Sequence, residues 1–169
     1  VLLQILANLA NDWGDALSGA DGEHRVGPRR AVQRGLISAA AIRRATVLVG
    51  VTAFAIGVLL LTVALAPNWR AWLAFLALGL ASLAAAVAYT LGSRPYGYRG
   101  LGDVSVLVFF GWVAVLGTGF MQHQSVPPIH WLPATAAGLL AVAVLNLNNL
   151  RDIDSDRAAG KLTLAARLG

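Results

Sequence analysis

Four stretches of the chain are apolar for long enough to cross a lipid bilayer: Val47 to Ala66, Ala71 to Leu91, Val104 to Met121 and Trp131 to Leu150. About 20 residues of helix span the hydrocarbon layer. Lipid offers no partners for exposed backbone N–H and C=O groups, so such segments must satisfy them internally as helices. The opening run Val1 to Ala10 reads as the last turns of a fifth helix. Strand-like alternation is absent, and runs such as Ala84-Ala-Ala-Val-Ala88 suit helices that approach closely through small side chains. The sequence therefore predicts an all-α fold, a multi-span transmembrane helix bundle with four full spans plus the end of another. Residues 1–169 are expected to be a single partial membrane domain, cut at both ends.

Charge in this chain is scarce and concentrated. Hydrophobic residues make up 57% of the sequence and charged ones 12%, which excludes an ordinary soluble domain. Arg25, Arg29, Arg30, Arg34, Arg43 and Arg44 precede the first full span. Arg94 and Arg99 follow the second, and Arg151, Arg157, Lys161 and Arg167 follow the fourth. The intervening turns hold Arg70 alone. Alternate loops being basic is what the positive-inside rule describes, and it makes the basic side cytoplasmic. The same rule accounts for a net charge of +5 without any nucleic acid partner. With no Cys, neither a disulfide framework nor a thiolate metal site is available. The opening run has no charged region before it and no cleavage pattern, so it is not a signal peptide.

The acidic residues, from Asp12 to Asp156, fall on that same side, which orientation does not require. All but Asp103 fall in two groups. Asn8, Asn11, Asp12 and Asp15, with Asp21 beyond, follow the opening helix; at 3.6 residues per turn Asn8, Asp12 and Asp15 share one stripe. Asn149, Asp152 and Asp156 repeat the spacing after the last span and are expected to form a second continuous stripe. Either group alone is compatible with capping and solvated turn chemistry. Two matched groups at one membrane boundary are harder to explain that way, because polar groups there need a cavity, a partner or an ion.

Carboxylates brought together repel unless a cation or protons intervene. Mg²⁺ prefers oxygen ligands and commonly binds through one or two carboxylates plus substrate phosphates. The expectation is therefore that the stripe of Asp12 and Asp15 and the stripe of Asp152 and Asp156 flank a diphosphate bound through Mg²⁺, the two groups lying within roughly 8–12 Å. Arg25, Arg29, Arg94 and Lys161 occupy same-side loops where they can bind phosphate oxygens. Between the groups runs Tyr89-Thr-Leu-Gly92-Ser-Arg94-Pro95-Tyr96-Gly97-Tyr98-Arg99-Gly100-Leu-Gly102-Asp103, a shaped loop whose tyrosines can line an aromatic acceptor site or stabilise a cation. Tyr89, with Asn8, Asn11 and Asn149, is the candidate lining of the acceptor or prenyl pocket. His123 and His130 lie in the opposite loop and read as surface residues.

These motifs resemble the UbiA superfamily of intramembrane prenyltransferases. The likeness runs through Asn11-Asp12-x-x-Asp15, the Tyr-rich loop and Asp152-x-x-x-Asp156. It is similar in particular to the 1,4-dihydroxy-2-naphthoate polyprenyltransferases through Ser18-Gly-Ala-Asp21, Arg25-Val-Gly-Pro28, Arg30-Ala-Val-Gln33, Gly35-Leu-Ile-Ser38, Asn148-Asn-Leu-Arg-Asp152 and Gly160-Lys161-Leu-Thr163. Leu162, Leu91 and Ser93 depart from the family pattern. The resemblance implies a bundle of about nine helices, of which this chain would hold the end of the second through the sixth. It implies that Asp12, Asp15, Asp152 and Asp156 are catalytic, with Asp21 in the first metal-diphosphate cluster and Mg²⁺ as cofactor. It further implies transfer of a polyprenyl chain from polyprenyl diphosphate to 1,4-dihydroxy-2-naphthoate in the inner cell membrane, with release of diphosphate and CO₂ to give demethylmenaquinone. A sister enzyme with another aromatic acceptor would share both motifs. An ion or proton transporter is the rival of a different class, but its acids would be expected nearer mid-helix.

Overall fold

In a computed structural model that describes residues 1–18 and 34–169, the chain folds as a helix bundle with no strand among those residues. The helices are α1 (Leu2–Ser18), α2 (Ala39–Leu65), α3 (Trp69–Ala88), α4 (Gly102–His123) and α5 (Trp131–Arg151), followed by the short α6 (Ile153–Ala158) and α7 (Leu164–Leu168). Helices α2 to α5 are each long and apolar enough to cross a membrane. Their large side chains, among them Val47, Leu59, Leu73, Leu140 and Val144, are mostly exposed. That is the pattern of a protein whose solvent is lipid.

The boundaries follow local chemistry more closely than hydropathy. Helix α2 begins well before Val47, because the Ser38 side chain accepts from the Ala41 N–H at 3.2 Å and starts the helix there. Arg43 and Arg44 then lie within it, and long basic side chains on a helix can extend toward water. Asn68 caps α3 in the same way, accepting from the Ala71 N–H at 3.2 Å. That helix ends at Ala88 rather than Leu91. Helix α4 changes winding midway, with a π-helical segment over Leu107–Val113. At that segment Gly111 meets Gly138 of α5 so closely that a Cβ on Gly111 would lie 2.7 Å from the Ala134 carbonyl oxygen and 2.8 Å from the Gly138 Cα. Two glycines thus permit near backbone contact between the helices.

Successive spans reverse direction, so the loop ends alternate as the charge pattern requires. At one end Gln124 reaches the Ala64 carbonyl at 3.5 Å. At the other, the Tyr98 and Arg99 carbonyls accept from the Leu162 N–H and from Arg167 at 2.9 and 2.7 Å. The second end therefore gathers the close of α1, the loop after α3, and α6 and α7.

Candidate active site

The first acidic motif is carried on α1, which continues past Ala10 as far as Ser18. Its end docks against the end of α3. Gly14 is buried there, and a Cβ at that position would stand 2.7 Å from the Thr90 Cβ. The Thr90 hydroxyl donates to Asn11 Oδ1 beside it. This docking turns Asp15 inward, leaving it 4% exposed, and leaves Asp12 half-buried. Asn8 is exposed, and its Oδ1 accepts from Gln4 Nε2 at 3.3 Å.

The Tyr-rich loop folds over that junction. Its centre is a 3₁₀ turn over Tyr96–Arg99, tied back by the Gly97 N–H to the Tyr89 carbonyl at 3.0 Å. Gly97 is required here: a Cβ would lie 2.7 Å from the Tyr89 carbonyl oxygen and 2.8 Å from its ring. Gly100 closes the turn at φ 76, a left-handed conformation suited to glycine. The Tyr98 hydroxyl, so placed, donates to Asp15 Oδ1 at 3.0 Å. Tyr89 packs edge to face on Tyr96, with ring centroids 5.3 Å apart, and its hydroxyl approaches Gly102.

The second acidic motif is not one continuous stripe. Helix α5 ends at Asp152, whose φ of −98 and ψ of 14 leave the helical region, and Asp156 lies in the separate helix α6. The Asp156 N–H still bonds the Asp152 carbonyl at 2.8 Å, so the two residues stay adjacent across the break. Arg151 engages both Asp152 oxygens, at 2.8 and 2.7 Å. Lys161 Nζ sits 3.4 Å from Asp156 Oδ1, with both side chains largely buried, and 5.7 Å from the centre of the Tyr98 ring. The two motifs are thereby joined in one run of contacts: Asp15, Tyr98, Lys161, Asp156.

Electrostatics report the same convergence. Burial pushes the Asp156 carboxyl above its ordinary range; Lys161 pulls it down, while Asp152 and Asp15 push it up. Burial raises the Tyr89 hydroxyl, and after Tyr96 the contributors are Asp103, Asp15 and Asp156. A single tyrosine thus feels acids from both ends of the chain. Asp156 Oδ2 is buried and has no hydrogen-bond partner among the described residues. A buried carboxylate oxygen left in that state is costly. Its natural complement is a cation, and carboxylate oxygens are the donor type that hard divalent metals take. No group of three or more His, Cys, Asp or Glu side chains poised around one metal position occurs among the described residues.

The family model for UbiA prenyltransferases matches residues 1–169, the whole chain. The chain belongs to the UbiA prenyltransferase family. It is 53% identical over 168 residues to the 1,4-dihydroxy-2-naphthoate octaprenyltransferase of Escherichia coli (strain K12), covering 99% of this chain and 54% of that protein. To the protein of the same name from Haemophilus influenzae it is 50% identical over 169 residues, covering 100% and 54%. The corresponding Mycobacterium tuberculosis protein is 44% identical over 171 residues, with 100% and 55% covered. The chain spans about half the length of the curated relatives it matches. No solved structure matches it. As a UbiA family member with four apolar spans, it is an integral membrane protein.

Within this UbiA bundle, Asp15, Asp156, Lys161, Asn11, Tyr89 and the buried Asn149 gather toward one end. Arg94 is exposed and makes no ion pair among the described residues. Asp21, Arg25 and Arg29 lie outside the described residues, as do the motifs around them. A separate apolar groove of about 260 Å³ lies among α2, α3 and α4, against Phe54, Leu61, Phe75 and Leu83. It has no acidic lining and is not the acid site. Two participants escaped the sequence reading. Tyr98 was one of three tyrosines with no local mark to separate them. Asp103 accepts a hydrogen bond from Asn146 Nδ2, a pairing across α4 and α5 that only an acid and an amide at the same end of adjacent spans would have suggested.

Proposed function

We propose that the protein transfers a polyprenyl chain from polyprenyl diphosphate to 1,4-dihydroxy-2-naphthoate, releasing diphosphate and CO₂ to give demethylmenaquinone. The observation that carries this reading is the run of contacts from Asp15 through Tyr98 and Lys161 to Asp156, which couples two acidic motifs from opposite ends of the chain. The acceptor is supported by the names of the relatives from Escherichia coli and Haemophilus influenzae. The active site faces the cytoplasm of the inner membrane, a reading supported by the basic loops at that end.

Asp12 and Asp15 would hold Mg²⁺ on one side and Asp152 and Asp156 on the other, with Asp21 adding to the first group. Bound there, Mg²⁺ supplies positive charge to the diphosphate as it leaves. Asp156 Oδ2, buried without a partner among the described residues, is an oxygen that supports this role. Lys161, whose ammonium lies beside Asp156, would bind phosphate oxygens at the same position. Arg25, Arg29 and Arg94 are proposed to bind the diphosphate from the loops. Tyr89, in contact with Tyr96, offers an aromatic surface beside the reacting carbon and shields it from water. Asn8, Asn11 and Asn149 complete the acceptor or prenyl pocket.

The test is turnover of the full-length protein in membranes, given labelled polyprenyl diphosphate and a panel of aromatic acceptors, with and without Mg²⁺. Prenylated naphthoquinone product with 1,4-dihydroxy-2-naphthoate, abolished by chelator, is expected. Transfer to a different acceptor would replace the substrate assignment, and full activity in excess chelator would overturn the metal arrangement.

A further inference from the structure

We propose that Tyr98 is a positioning residue that aims the Asp15 carboxylate and the Lys161 ammonium, from the two ends of the chain, at one diphosphate. The inference rests on the function proposed above and assigns a task to Tyr98, which that function names as a link between the motifs but gives no role. Three parts of Tyr98 act at once. Its hydroxyl donates to Asp15 Oδ1 at 3.0 Å, its ring lies 5.7 Å from Lys161 Nζ, and its backbone carbonyl accepts from the Leu162 N–H at 2.9 Å. The residue is held where it stands from both sides in sequence: Gly97 is pressed against Tyr89, and a Cβ on Gly100 would meet the Leu162 carbonyl oxygen at 3.1 Å. Arg167 fastens the Arg99 carbonyl at 2.7 Å. A side chain held this firmly can fix the orientation of a carboxylate that is itself 4% exposed.

Chemistry gives the two contacts their meaning. With one Asp15 oxygen bonded to a phenol, the carboxylate loses rotational freedom and its plane is held in a set orientation. Hydrogen bonds behind ligating carboxylates commonly alter metal affinity 10–100-fold when removed. The ring does the corresponding work for Lys161, whose flexible stem would otherwise let the ammonium follow Asp156 alone. Tyr98 touches neither metal nor substrate in this arrangement. It acts through Asp15 and Lys161.

The experiment uses the full-length protein purified in detergent, with Mg²⁺ and inorganic pyrophosphate as probes. Thermal unfolding is followed across a Mg²⁺ titration at fixed pyrophosphate, and turnover is measured over the same Mg²⁺ range. Tyr98→Phe keeps the ring and removes the hydroxyl. It is expected to melt somewhat below wild type without ligand, because it removes a hydrogen bond to a buried carboxylate, to need about tenfold more Mg²⁺ for stabilisation, and to recover most of its turnover at saturating Mg²⁺. Tyr98→Leu removes the ring as well and is expected to weaken pyrophosphate binding further. In an Asp15→Asn background, Tyr98→Phe should have little additional effect on the Mg²⁺ requirement. An unchanged Mg²⁺ requirement in Tyr98→Phe, with or without a lower melting temperature, overturns the proposal. Wild-type protein that Mg²⁺ and pyrophosphate do not stabilise at all would instead overturn the metal-diphosphate reading on which it stands.

Discussion

Replacing Gly97 by Ala adds one methyl group where the Tyr-rich loop presses on Tyr89. That Cβ would sit 2.7 Å from the Tyr89 carbonyl oxygen, 2.8 Å from Tyr89 Cε1 and 2.9 Å from Cζ. The nearest of these atoms is backbone, held by the Gly97 N–H at 3.0 Å, so it cannot swing aside as a side chain would. Relief to ordinary contact near 3.4 Å requires the turn to retreat by roughly 0.7 Å. The Tyr98 hydroxyl, 3.0 Å from Asp15, rides on that turn, and a shift of this size is enough to disturb a hydrogen bond of that length. Overpacking of this kind costs about 1–3 kcal/mol. Gly97→Ala is therefore expected to lower the melting temperature of the detergent-solubilised full-length protein and to raise its Mg²⁺ requirement, as is expected of Tyr98→Phe, although it removes no polar side chain. Thermal unfolding and a Mg²⁺ titration of turnover check both parts. A variant with wild-type melting and wild-type Mg²⁺ dependence would refute the steric reasoning and the link from this turn to Asp15.

Asp12→Asn and Asp156→Asn should each abolish turnover while retaining the fold, because they remove charge and little volume; near-normal activity in either rules out its metal role. Cysteines placed at Asn68 and at Arg94 should label from opposite membrane faces, and labelling from the same face would overturn the span assignment. Gly111→Val should destabilise the protein by at least the 1–3 kcal/mol of ordinary overpacking, since the new side chain meets the Ala134 carbonyl and Gly138 Cα; unchanged thermal unfolding would show that the α4–α5 crossing has room to spare.

The spans were legible in the sequence because lipid imposes one rule along the whole length of each helix: no backbone group unpaired and few charged side chains. Alternating basic loops carry the expectation of sidedness for an equally general reason. The acidic motifs were visible as well, since acids at a membrane boundary stand out from an apolar background. Helix limits were less so. Hydropathy starts α2 near Val47, but the Ser38 cap decides, and a cap is a local geometric event that an average over residues erases. The break at Asp152, which moves Asp156 onto its own helix, likewise has no Gly or Pro to announce it.

Tertiary structure alone decided which residues meet. Tyr89, Tyr96 and Tyr98 share one loop and one chemistry; packing sets Tyr89 against Gly97 and Gly102, gives Tyr96 the Ser105 hydroxyl at 2.9 Å, and leaves Tyr98 to reach Asp15. Asp103 finds Asn146 only because α4 and α5 cross closely at Gly111 and Gly138. Sequence fixes what each side chain can do and, in a membrane, how deep it lies. Which partner it does it with depends on the lateral order and rotation of the helices, and these are set by contacts between residues far apart in the chain.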